Sequence, residues 1–278
     1  MRRNTKWLIG LGVIVVLFAG IFTVSRLNSS KSANGVKTET VGVAPGPYGD
    51  MAKNVIGPLL KKKGYEVKIK EFNDYIQPNK ALNSGEIDAN LFQHTVYLQT
   101  FSQQNHLKLT ALDKVPTLGM GIYSKTVKSL KTLKNGATVS LANDPSNLAR
   151  SLQLLAANKL ITLKSGINVA TASLADVAKN PKNLKFKTLD AAQLPQSRSN
   201  VDLALIPGNF SWNANIKPTS ALAMEDLKPD YLNVFVVKSS NKNSDFAKAV
   251  KSVLTSQAFK DAIAKSQFKD FQKPASWR

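Results

Sequence analysis

The chain has no cysteine in its 278 residues, which removes disulfides, thiolate nucleophiles, Cys-ligated zinc and iron–sulfur clusters together. With His94 and His106 as its two histidines it cannot assemble a multi-histidine metal site either, so no cofactor is expected. Acidic residues are scarce: 18 Asp and Glu stand against 38 Lys and Arg, a formal charge of +20. The signature peptides of many enzymes are missing as well, with no G-x-S-x-G elbow, no H-E-x-x-H pair and no P-loop, and enzymatic activity is not expected. What is present is ordinary globular material, 43% apolar with 15 Gly and 12 Pro, enough for roughly two domains of about 150 residues.

The one long apolar run is Trp7 to Val24, 18 residues without a charge. As a helix it reaches about 27 Å at 1.5 Å per residue, just sufficient for a thin hydrocarbon core. Arg2, Arg3 and Lys6 precede it and Arg26 alone follows closely, which places the N-terminus inside the cell and everything after the run outside. The length favours an uncleaved transmembrane anchor over a signal peptide, whose apolar part is shorter, although cleavage near residues 29–33 stays open. Residues 1–25 thus form a cytoplasmic tip and anchor, and the polar stretch 26–39 a flexible tether. Setting aside Arg2, Arg3, Lys6, Arg26 and Lys31 leaves 33 cations against 18 acids, so the exported part still carries +15. Its lysines are scattered rather than interleaved with aromatics, so no nucleic-acid partner is expected; anionic headgroups or wall polymers, or plain solubility, account for the charge.

Beyond residue 40, short apolar or alternating runs take turns with helical patterns. ETVGV, YEVKIKEF, IDANLF, LKLTAL, GMGIYS, ATVSLA, LKFKTL, VDLALI and YLNVFVV read as strands, with a helix over 50–63 and one long amphipathic helix over 244–265. This alternation predicts an α/β architecture with largely parallel sheets. Two closely spaced strands near the middle and a late returning strand suggest two lobes, 40–122 with 228–278 and 123–227, and a cleft between them where a small molecule would sit.

Two segments carry chemistry. In ANDPSNLARSLQLL, Asp144 can cap a helix that has Pro145 in its first position, and Asn147 and Arg150 then share one face of its first turns, where backbone N–H groups and a guanidinium could hold a carboxylate. Arg150 could equally serve a structural salt bridge. In YIQPNKALNSGEIDANLFQHTVY, Tyr75, Phe92, His94 and Tyr97 bracket a short helix and an apolar strand at the sort of strand end where α/β ligands bind; Phe92 could instead be core and His94 a helix cap.

The stretches QPNKALNSGEIDANLFQH, NDPSNLARSLQLL, NPKNLKFKTLDAAQLP and VDLALIPGNF, in this order, resemble the NlpA/MetQ family of methionine-type ABC-transporter substrate-binding proteins over nearly everything from residue 40 to Trp277. The resemblance implies a two-lobe periplasmic-binding-protein fold, type II-like, that delivers an amino acid to an ABC permease and its ATPase. It implies that Arg150 clamps the ligand carboxylate with help from Asn147, that Tyr75, Phe92, His94 and Tyr97 surround a thioether or other apolar side chain, and that Asn209 in IPGNF contacts the amino-acid end. On this reading Arg150→Ala costs a few kcal/mol of ligand affinity with little effect on folding.

The sequence departs from the family pattern in lacking the N-terminal cysteine of a lipoprotein, in placing Pro207 ahead of Gly-Asn, and in carrying Gln196 after AAQLP. The first departure assigns tethering at the cell membrane, on its extracytoplasmic face, to the Trp7 to Val24 helix. Three alternatives stay open: the same fold holding a different amino acid or a short peptide, a secreted enzyme, and a basic surface adhesin.

Overall fold

The computed structural model describes residues 35–277, and the apolar run expected to anchor the chain lies outside the described residues. Among the described residues no helix is long and apolar enough to cross a membrane. The strands are β1 (Lys37–Val43), β2 (Tyr65–Glu71), β3 (Ala89–His94), β4 (Leu109–Lys114), β5 (Gly121–Tyr123), β6 (Thr138–Ala142), β7 (Thr162–Leu163), β8 (Val177–Lys179), β9 (Lys185–Leu189), β10 (Leu203–Ile206), β11 (Ala223–Met224) and β12 (Asn233–Lys238). They form two five-stranded sheets, ordered β2-β1-β3-β12-β4 and β11-β5-β10-β6-β9, plus the small β7-β8 pair.

Both large sheets are mixed rather than largely parallel. β1, β2 and β3 are parallel, but β12 runs antiparallel to β3 and β4. β6, β9 and β10 are parallel, but β5 runs antiparallel to β10 and β11. The reason lies in the connections. β5 and β12 each begin where the chain has just crossed from the other sheet, so Gly121 pairs with Ile206 at the end of β10 and Asn233 with His94 at the end of β3. A strand entering at the shared edge must run against strands that finish there. The crossings fall between Lys114 and Gly121 and between Met224 and Asn233, so residues 121 and 122 pair within the second sheet and not the first.

Each sheet has its own core. Val41, Met51, Ile56, Leu60, Phe235, Val250, Phe259 and Phe268 cluster on the first, and Ile122, Val139, Leu141, Leu152, Leu155 and Leu205 on the second. β2 is a one-faced edge strand, with Tyr65 buried while Glu66, Lys68 and Lys70 are exposed. β3 is buried along its whole length, as a central strand covered on both faces must be.

Two helical expectations change. The helix over 50–63 contains Pro58, which has no N–H and would clash with the carbonyl four residues back. The chain responds with a widened turn at Ala52–Ile56 between Pro47–Met51 and Gly57–Lys61, in which the Gly57 N–H reaches Ala52 O. The single helix expected over 244–265 is two, Asp245–Leu254 and Gln257–Ala264, because Ser256 caps the second by accepting from Phe259 N at 3.2 Å. The β7-β8 pair and β11 were not anticipated; both contain strands of only two residues, too short for a period to register.

Candidate functional site

The helix Pro145–Ala157 follows β6 directly. Asp144 caps it, accepting from Asn147 N at 2.9 Å, and Pro145 occupies the first turn where a missing N–H costs nothing. Leu152 and Leu155 are fully buried in the second core, each contributing about 2–3 kcal/mol, so the opposite face is held in register toward the crossings. That face carries Asn147 and Arg150, which are 2% and 5% exposed.

Both are already engaged by a neighbouring carboxyl group. Asn147 Nδ2 donates to both Asp144 oxygens at 3.1 and 3.0 Å. Arg150 Nε donates to Glu225 Oε2 at 2.8 Å and Nη2 donates to Glu225 Oε1, while the guanidinium lies 5.1 Å from the Tyr231 ring centroid. Burial alone would lower the Arg150 pKa, but the Glu225 charge and hydrogen bonds outweigh it and hold the pKa above its ordinary value. The Asp144 carboxyl is pushed up by burial against the opposing Asn147 hydrogen bonds. Arg150 thus fills the structural role that the sequence left open. It is in a buried salt bridge, and the bridge uses only one edge of its fork.

Facing this helix is an aromatic wall from the first sheet's side. The Tyr75 ring lies 5.8 Å from Phe92, 5.6 Å from Tyr97 and 5.0 Å from Phe210, centroid to centroid. Tyr97 OH donates to Tyr75 O at 2.9 Å, and Tyr75 OH donates to Asn209 Oδ1 at 2.5 Å. Asn209 Nδ2 in turn donates to Pro45 O at 2.9 Å, bridging back to the loop after β1. His94 is both helix cap and wall. Its Nδ1 accepts from Tyr97 N at 3.0 Å, which leaves the proton on Nε2, 3.3 Å from Asn147 Oδ1. Burial, reinforced by the Arg150 charge, holds the His94 pKa well below its ordinary 6.5, so the ring is neutral. Beside the wall Asn79, Asn90 and Gln93 satisfy one another's buried amides, with Gln93, which also lines the cavity, donating from Nε2 to Asn79 Oδ1 at 2.6 Å and to Asn90 Oδ1 at 2.9 Å. This accounts for the amides of the N-K-A-L-N and A-N-L-F-Q-H stretch as scaffolding.

These groups close around a cavity with a free volume of about 20 Å³, and all seven residues singled out in the sequence, Tyr75, Phe92, His94, Tyr97, Asn147, Arg150 and Asn209, line it. Tyr48, Thr117 and Asn233 also line it and were missed. Asn233 had a legible signal, an amide at the head of the apolar strand NVFVVK; its Nδ2 donates to Phe92 O at 3.1 Å and its N–H to Thr117 Oγ1 at 2.8 Å. Gln196 is exposed and takes no part, whereas Pro207 lines the cavity. Among the described residues no group of His, Asp and Glu could hold a metal ion.

The model of the family described as NlpA lipoprotein matches residues 40–276. The chain belongs to the NlpA lipoprotein family. Within it, the chain is 36% identical to the methionine-binding lipoprotein MetQ of Bacillus subtilis over 260 residues, 92% of this chain and 94% of that protein. It is 39% identical to the D-methionine-binding lipoprotein MetQ of Salmonella typhi over 221 residues, 78% and 80% of the two chains. Among solved structures, a nutrient-binding protein from Burkholderia cenocepacia bound to methionine superposes with a TM-score of 0.76 at 41% identity, covering 84% of this chain and 97% of that one. The mixed α/β, two-sheet fold is thus the fold of substrate-binding proteins in this family. Relatives named as lipoproteins sit beside a sequence here that offers no cysteine for a lipid.

Proposed function

We propose that this chain is the extracytoplasmic substrate-binding protein of an ABC importer and that it binds methionine or a closely related zwitterionic amino acid, without catalysis, for delivery to a permease driven by an ATPase. The observation that carries this reading is the convergence of a buried cation and a ring wall on one cavity between the two sheets; its free space of about 20 Å³ is water-sized, so a ligand enters only when the two sides part. The ligand carboxylate meets the unpaired edge of Arg150 near the start of the helix Pro145–Ala157, with Asn147 ordering that turn. The apolar end lies among Tyr75, Phe92 and Tyr97, where sulfur against ring edges is favourable, and neutral His94 adds no competing charge. Asn209 Oδ1 keeps a lone pair for the ammonium.

The two lobes, one on each sheet, open and close about the crossings between Lys114 and Gly121 and between Met224 and Asn233 in a type II-like manner. Closure excludes water and presents a new surface to the permease. The Trp7 to Val24 run anchors the protein at the outer face of the cell membrane in place of a lipid.

Calorimetry on purified protein with L-methionine, D-methionine and leucine tests the reading: methionine should bind and leucine should bind more weakly. Absence of heat from all three amino acids would end the proposal for the cavity. Anchoring is tested separately, by whether the full chain sediments with membranes and the chain lacking residues 1–25 does not.

A further inference from the structure

Glu225 stands outside the cavity, yet nearly everything about Arg150 depends on it. It follows β11 on the second crossing, its side chain is 8% exposed, and it accepts from Met120 N on the first crossing as well as from Arg150. The same crossing puts Tyr231 against the guanidinium, and Tyr231 OH accepts from Gln153 Nε2 at 2.7 Å, one turn beyond Arg150. A second hollow on this far side is lined by Arg150, Gln153, Glu225 and Tyr231, so Arg150 lies between two spaces and Glu225 reaches it from the one the ligand does not occupy.

A guanidinium has five N–H donors in a flat fork. Glu225 takes Nε–H and one hydrogen of Nη2, and among the described residues nothing accepts a hydrogen bond from Nη1. The end-on edge is therefore what remains for an incoming carboxylate. The charge is divided in the same way. The Glu225 carboxylate bridges the guanidinium from outside the cavity and counters its charge there, and His94 is neutral.

We propose that Glu225 is the positioning residue of the ligand-gripping arginine: from outside the cavity it fixes the Nε edge of Arg150 to both crossings, leaves the Nη1 edge for the ligand, and by cancelling the cationic charge makes the site select a molecule of zero net charge over an anion of the same shape. This rests on the functional reading above, in which Arg150 meets a carboxylate. Glu225 stays on Arg150 when ligand binds; it is not a stand-in that the ligand displaces.

The test compares L-methionine with its 2-hydroxy analogue, which replaces the ammonium by a hydroxyl and so carries a net negative charge at nearly the same size. By calorimetry the wild type should prefer methionine. In Glu225→Gln the cleft gains a positive charge, and the preference should shrink by about tenfold or more. Glu225→Asp keeps the charge but draws Arg150 back by one methylene, so both molecules should weaken together with the preference retained. An equal loss for both molecules in Glu225→Gln would reduce Glu225 to a packing role and overturn the inference, while leaving the functional reading intact.

A measurement on the wild type stands if either variant fails to fold. The Arg150 Nε–H resonance, assigned by its loss in Arg150→Lys, should exchange slowly in the free protein and persist when methionine is added. Its disappearance on adding methionine would mean that the ligand displaces Glu225, and the inference falls. Failure of the wild type to bind either molecule removes the functional reading, and this inference with it.

Discussion

The Tyr75 hydroxyl donates to Asn209 Oδ1 at 2.5 Å, joining a residue beside the first sheet to one at the end of β10 in the second. Asn209 also holds Pro45 O, and His94 reaches Asn147, so the two sides of the cleft are tied by neutral hydrogen bonds directly over the cavity. Tyr75→Phe removes the first tie and leaves the ring in place. A net loss of about 1 kcal/mol is expected, read as roughly fivefold weaker methionine binding by calorimetry. Unchanged affinity would show that this bond takes no part in the liganded state.

Arg150→Ala should abolish methionine binding, but it should not be benign for folding as the sequence alone implied. It strands Glu225, whose side chain is 8% exposed, without its partner. Breaking a buried pair in this way costs about 3–5 kcal/mol. Chemical denaturation should show that loss; a variant as stable as wild type would mean that the pair is open in solution.

His94 gives stability a defined response to acid. Its folded pKa is held well below 6.5, so above pH 6.5 the ring is neutral in both states and contributes nothing. Below 6.5 the unfolded chain takes up a proton that the folded chain refuses, and stability falls with pH. Glu39 works the other way. Burial, then the neighbouring Asp88, raise its pKa to about 7, so between about 7 and 4.5 the folded state gains the proton first and is favoured. The difference between wild type and His94→Asn, which keeps a cap but cannot titrate, isolates the histidine. The variant should lose less stability between pH 7 and 5, measured by urea unfolding at each pH. Parallel curves would contradict a neutral buried ring.

Gly208 and Gly46 mark where the two sides approach most closely. A Cβ on Gly208 would lie 2.2 Å from Leu118 O on the first crossing, and one on Gly46, at φ 137°, would lie 2.7 Å from Asn209 Cβ. Alanine at Gly208 forces backbone apart at the crossing and should cost about 1–3 kcal/mol while weakening methionine binding. Thermal unfolding with and without methionine checks both effects, and an alanine variant with wild-type behaviour would mean that the crossing is slack.

Much of the site was legible because its signals are local. Asp-Pro followed by Asn147 and Arg150 is a capped helix whose first turns show one face, a matter of 3.6-residue geometry and capping chemistry alone. Tyr75, Phe92, His94 and Tyr97 lie within 23 residues spanning one helix, one strand and the next helix start, so their convergence needs little more than a β-turn of reasoning about strand ends. The amphipathic stretch over 244–265 was legible as helical, but not its break, because Ser256 reads equally well as a surface residue of a continuous helix and as a cap.

Composition and local pattern thus determined the absence of thiol chemistry, the α/β character, most strands and the candidacy of Tyr75, Phe92, His94, Tyr97, Asn147 and Arg150, because each follows from residue type or short-range periodicity; Asn209 came from the family resemblance. Tertiary structure alone decided the antiparallel entry of β5 and β12, the seating of Asn233 and the pairing of Arg150 with Glu225, 75 residues apart in the chain. Those depend on where two chain crossings bring distant backbone together. A carboxylate's partner in a buried fork is set by that meeting and leaves no periodic trace in the sequence.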